Sequence, residues 1–108
     1  MVVGRSATPL ISLDAAVIDT ETTGLDPRNA RIVELAAVRL TGGRLDAGRS
    51  IRRLVRPDQS IPPAATRIHG IDDSAVAGAP SFGAVWPEYS DFIGGAVVIG
   101  HSVGLTSR

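Results

Sequence analysis

Three carboxylates fall within eight residues: Asp19, Glu21 and Asp26, in the run Val17-Ile18-Asp19-Thr20-Glu21-Thr22-Thr23-Gly24-Leu25-Asp26. An apolar stretch delivers the first, and Thr-Thr-Gly follows the second. On a strand, side chains two positions apart project from the same face. Asp19 and Glu21 then stand side by side. Neighbouring carboxylates either repel one another or hold a hard divalent cation between their oxygens. Taken alone, the same residues also fit a cap on the following turn or a surface ion pair. Asp26 stands before Pro27, Arg28 and Asn29 and reads as turn chemistry.

The elements that must position these groups follow from the pattern. Ala15-Ala16-Val17-Ile18 is a continuous apolar run, as in a strand covered on both faces. The stretch from Arg31 to Leu40 is rich in β-formers, and Thr41-Gly42-Gly43-Arg44 reads as a hairpin loop. Arg49 to Arg56 is the expected returning strand, stopped by Pro57, with its Arg side chains on a solvated or edge position. The whole Arg-rich stretch from 39 to 56 is expected on a solvated hairpin face, with contact to phosphate as the alternative. Pro63 suits the first turn of a short helix running to Ile68, which Gly70 ends as a left-handed cap. Asp72-Asp73-Ser74 starts another turn. A helix is predicted over 82–93, after Ala79-Pro80-Ser81, with Val85, Tyr89, Phe92 and Ile93 at helical spacing. Trp86 and Tyr89 are both expected in the core, and Gly94-Gly95 ends the helix. Ala96-Val97-Val98-Ile99-Gly100 is a second fully apolar strand. The order is β, β-hairpin, helices, β.

Composition narrows the function classes. The 108 residues fit one small domain, with 1–12 read as a loose leader and 13–108 as the folded part. Eleven Arg balance eleven acids and there is no Lys, so no global basic field draws the chain to nucleic acid. Cysteine is absent, which excludes disulfides and thiolate metal sites and suits a cytoplasmic protein. No segment approaches the roughly 18 apolar residues of a membrane span.

Four ordered segments carry a family resemblance. Asp19-Thr20-Glu21-Thr22-Thr23-Gly24-Leu25 resembles the first motif of the DEDD-type (DEDDh) 3'-5' exonucleases, particularly the epsilon-type proofreading subunits of bacterial replicative polymerases. Glu34-Leu35-Ala36-Ala37-Val38 resembles their second strand, and Ile68-His69-Gly70-Ile71 their substrate-side loop. Val98-Ile99-Gly100-His101-Ser102-Val103-Gly104 resembles the start of their second catalytic motif. The resemblance implies an α/β, ribonuclease H-like mixed sheet with an antiparallel hairpin edge. It implies hydrolysis of phosphodiester bonds at single-stranded DNA 3' ends with two divalent cations, Mg²⁺ or Mn²⁺, about 3.5–4 Å apart. Asp19 would bridge both ions and Glu21 bind one. Thr22, Leu25, His69 and His101 fall on the substrate side, Leu25 as an apolar wedge and His69 at the terminal nucleotide. Glu34 lies on a strand opposite the site, where it supports the site or simply pairs with an Arg.

The resemblance also breaks. The second motif should continue Gly-Phe-Asp, but Gly104 is followed by Leu105 and Thr106. A neutral hydroxyl is a poor ligand for a hard dication. A third motif, a His acting as general base and then an Asp, would lie past residue 108, and both His residues already match other positions. The expectation is a domain incomplete at its C-terminus, with an apolar sheet face left open. As alternatives, the chain is a catalytically inactive fragment with at most weak nucleotide or nucleic-acid binding, or a polymerase subunit or second chain completes it.

Overall fold

A computed structural model describes residues 14–24, 26 and 28–102, the last two by backbone alone. Leu25 and Thr106, both singled out above, lie outside the described residues. The elements are β1 (Ala15–Thr22), β2 (Ile32–Thr41), β3 (Arg44–Leu54), α1 (Pro63–His69), α2 (Asp73–Val76), α3 (Phe82–Ile93) and β4 (Val97–Ser102). The strands form one mixed sheet in the order β3-β2-β1-β4. β1 is antiparallel to β2 and parallel to β4, and the β2–β3 hairpin forms one edge. Parallel partners need a long crossover. The hairpin and all three helices supply it, so β1 and β4 meet although far apart in sequence.

Local chemistry sets the boundaries. Gly42 and Gly43 have φ of 58° and 80°, as a two-residue primed hairpin turn requires, and Thr41 pairs with Arg44 directly. β3 therefore begins five residues before the expected Arg49. Pro63 opens α1, and Gly70, at φ 79°, closes it by donating its N–H to the Thr66 carbonyl. Asp72 caps α2 by accepting the Ala75 N–H, and Ser81 caps α3 by accepting that of Ala84. Pro87 sits inside α3 without ending it.

The helices bury two apolar groups against the sheet. Val33, Ile61, Ala65, Ile71 and Val76 pack around α1 and α2. Leu35, Ala37, Val55, Val85 and Tyr89 pack beneath α3. Full burial of a side chain such as Val33 or Val55 is worth about 1.5–3 kcal/mol. The buried Tyr89 hydroxyl donates to the Leu35 carbonyl, which joins α3 to β2.

Two expectations are corrected. Arg39 is not on a solvated face: it is 7 % exposed, donates to the Phe92 carbonyl at 2.9 Å and pairs with Asp14. The last carbonyls of α3 carry partial negative charge and draw the guanidinium in. Arg44, Arg49, Arg52, Arg53 and Arg56 are exposed as expected. Trp86 is not core: it is 41 % exposed and stacks on Phe82 at 5.6 Å. It sits with Phe82 toward the N-terminal end of α3, outside the cluster that buries Val85 and Tyr89. On β4, Val97, Val98 and Ile99 are all close to half exposed. No helix among the described residues is long and apolar enough to cross a membrane.

Candidate active site

The candidate site is the C-terminal end of β1. Alternation along the strand puts Ile18 among the side chains packed toward α3, and puts Asp19 and Glu21 together on the opposite face. Asp19 lies in the sheet between Ala36 of β2 and His101 of β4, and Glu21 lies directly opposite Glu34. The ladder register slips between Glu21 and Thr22, which frees the chain to leave the sheet just after the carboxylates.

The turn that follows is tied down. Thr23 is buried, its hydroxyl accepts the Arg31 N–H at 2.9 Å, and its own N–H reaches the Arg31 carbonyl at 2.9 Å. Thr22 donates its hydroxyl to the Gly24 carbonyl. Asp26 is turn chemistry: its carboxylate accepts the Arg28 N–H and the Asn29 side-chain amide.

Among the described residues neither Asp19 nor Glu21 forms an ion pair, and one Glu21 oxygen, Oε1, is buried with no hydrogen-bond partner. A buried carboxylate oxygen left unpartnered is costly. Burial pushes the Glu21 carboxyl above the ordinary Glu range; His69 pulls it down, Glu34 and Asp19 push it further up, and Arg52 pulls it down. Such an oxygen is what a hard cation would satisfy, so the donor set fits a Mg²⁺- or Mn²⁺-type ion.

His69 ends α1 and reaches back to β1. Its Nδ1 accepts the Ile71 N–H at 3.0 Å, which leaves the proton on Nε2, donated to the Thr22 carbonyl at 3.0 Å. Both ring nitrogens are therefore engaged by backbone. His69 fastens the loop after α1 to the residue after Glu21, a link spanning 47 positions that no local sequence signal announces. The structure brings Asp19, Glu21, Thr22 and His69 to one end of the sheet. For His101 it gives a backbone position level with Asp19. Glu34 is in an ion pair with Arg52 at 3.2 Å, the Arg pairing that its sequence context left open.

A mixed sheet with an antiparallel hairpin edge, crossed over by helices and bearing paired carboxylates at the end of its central strand, defines an α/β domain of the ribonuclease H-like kind. The family model described as exonuclease (RNase T) matches residues 16–106, and the chain belongs to that family. A DNA polymerase III subunit epsilon-like protein of Rhodobacter capsulatus is 45% identical over 103 residues, covering 92% of this chain and 15% of the relative. The DNA polymerase III subunit epsilon of Aquifex aeolicus is 37% identical, covering 81% of this chain and 42% of its own length. Exonuclease X, solved in complex with 5' overhanging duplex DNA, superposes with a TM-score of 0.69 at 37% identity over 81% of this chain and 48% of that one. The chain thus spans less than half the length of each of these relatives.

Proposed function

We propose that this chain supplies the first-motif half of a metal-dependent 3'-5' exonuclease site for single-stranded DNA ends. The observation that carries the reading is the Asp19–Glu21 pair at the end of β1 with a buried, unpartnered Glu21 oxygen. Asp19 and Glu21 would hold Mg²⁺ or Mn²⁺. Bound there, the ions would activate water and stabilise charge on the leaving oxygen. The tied turn from Thr22 to Gly24 sets the backbone beside the reacting end. His69 positions that backbone; with both nitrogens engaged, it meets substrate through its ring carbons. Relatives that are polymerase subunits, and one solved on DNA, support DNA as the substrate and a polymerase as the larger context.

A second reading concerns the 108-residue chain by itself. Two carboxylates are a partial ligand set for two hexacoordinate ions, and a site that acts as a unit loses nearly all its effect when members are missing. The partial set favours a chain that binds metal weakly and does not turn over alone. A gel assay on 5'-labelled single-stranded DNA with Mn²⁺, run beside Asp19→Ala, separates the two. Stepwise shortening by the parent alone supports a completed site. Identical lanes mean the chain needs further residues, and the same assay on a longer chain then decides the reaction.

A further inference from the structure

Glu34 stands directly opposite Glu21 on the neighbouring strand. Opposed side chains in an antiparallel pair start about 4.5–5.5 Å apart at Cβ, and like charges there are unfavourable. β2 nevertheless presents a carboxylate at that position. Its partner is Arg52 of β3, one diagonal step away: Ala36, two residues from Glu34, is the ladder partner of Arg52. Arg52 Nη1 lies 3.2 Å from Glu34 Oε1, a single contact made by a side chain that is 68% exposed. Glu34 itself is only 20% exposed. The pair is therefore asymmetric, with a shielded carboxylate held by a solvated guanidinium. Among the described residues, no three His, Cys, Asp or Glu side chains converge on one point. Glu34 is next to the carboxylate pair yet stays outside it.

We propose that Glu34 is a held-back third carboxylate of the Asp19–Glu21 cation site, kept out of that site by its ion pair with Arg52. The inference rests on the reading of Asp19 and Glu21 as metal ligands. A solvated ion pair contributes little net free energy, so Arg52 is a weak restraint. A rotamer change at Glu34 turns its carboxylate across the strand gap toward the unpartnered Glu21 oxygen. Site affinity for hard cations rises with the number of ligand charges, so the Arg52 contact sets how tightly this end of β1 holds a dication.

The test is Mn²⁺ affinity of the 108-residue chain, read as free Mn²⁺ by electron paramagnetic resonance and independent of turnover. Circular dichroism checks that each variant is folded; Arg52 is exposed enough for its loss to leave the core untouched. Arg52→Gln should bind Mn²⁺ tighter by roughly threefold or more, since it releases a ligand charge. With Glu34→Gln already in place, Arg52→Gln should give a clearly smaller gain, the part due to the lost positive charge alone. That non-additivity separates a released ligand from simple removal of a positive charge, which would tighten binding equally in both backgrounds. Equal gains with and without Glu34, or no gain from Arg52→Gln, overturn the proposal. A parent that binds Mn²⁺ no better than Asp19→Asn overturns instead the metal-site reading on which it rests.

Discussion

At the scale of single residues, Glu21 is the strained member of the site. Its carboxyl is raised by burial, and by Glu34 and Asp19 beside it. A group whose folded-state pKa is raised favours the native state while protonated and disfavours it once ionised. The stability it contributes is therefore present at acid pH and is lost as pH rises through the raised value. Glu21→Gln should raise the midpoint of thermal unfolding of the metal-free chain at pH 7, with the gain shrinking toward pH 4. Added Mn²⁺ should stabilise the parent more than the variant, because the ion binds the native state and satisfies the charge. Melting curves at the two pH values, with and without Mn²⁺, check this; a variant less stable than the parent at pH 7 without metal would sink it. Asp19 and Glu21 were legible in the sequence because a two-residue spacing on a strand fixes a shared face. The engagement of His69 was not, because it joins backbone groups 47 positions apart and depends on how α1 docks against the end of β1.

At the scale of elements, α3 is anchored to the sheet by the Tyr89 hydroxyl on the Leu35 carbonyl, both buried. Tyr89→Phe keeps the ring and removes the donor. It should cost about 1–2 kcal/mol in urea unfolding, since the buried acceptor loses a partner. Tyr89→Leu should cost more, by opening space beneath Val85 and Leu35. A Phe variant as stable as the parent would mean the hydroxyl bond adds nothing. Elements governed by local chemistry were the readable ones. The Gly-Gly turn, Pro63 with Gly70, and the span of α3 follow from residues within a few positions. Misreadings arose where tertiary geometry decides. Charge pointed Arg39 outward, but its strand position faces α3, where the Phe92 carbonyl receives it. Helical spacing put Trp86 on the apolar side of α3, but it stacks on Phe82 toward the N-terminal end of the helix, outside the buried cluster of Val85 and Tyr89. β3 started early because a two-residue turn pairs its flanking residues at once, which composition alone did not reveal.

At the scale of the molecule, the two edges of the sheet are chemically unlike. The β2–β3 hairpin makes one edge, dressed with exposed Arg44, Arg49, Arg52 and Arg53. Charged side chains on an edge strand discourage pairing with another chain. β4 makes the other edge, and among the described residues it carries no charged side chain: Val97, Val98 and Ile99 are 48%, 49% and 43% exposed and alternate across both faces. An apolar edge strand is a template for further strand addition. The 108-residue chain should therefore self-associate with rising concentration in sedimentation velocity and bind an apolar dye such as anilinonaphthalene sulfonate. Ile99→Lys puts a gatekeeping charge on that edge and should reduce both effects without loss of far-ultraviolet circular dichroism. The Arg-rich edge provides the internal control. Arg49→Ala should leave association nearly unchanged, because the rest of that edge stays charged. Monomeric behaviour of the parent at every concentration, with no dye binding, would show that β4 is covered in solution. The same strand sets His101 level with Asp19, so whatever covers β4 also borders the Asp19–Glu21 end of the sheet. Ile99→Lys should then weaken Mn²⁺ binding only in a longer chain in which the edge is covered, and leave the Mn²⁺ affinity of the 108-residue chain unchanged.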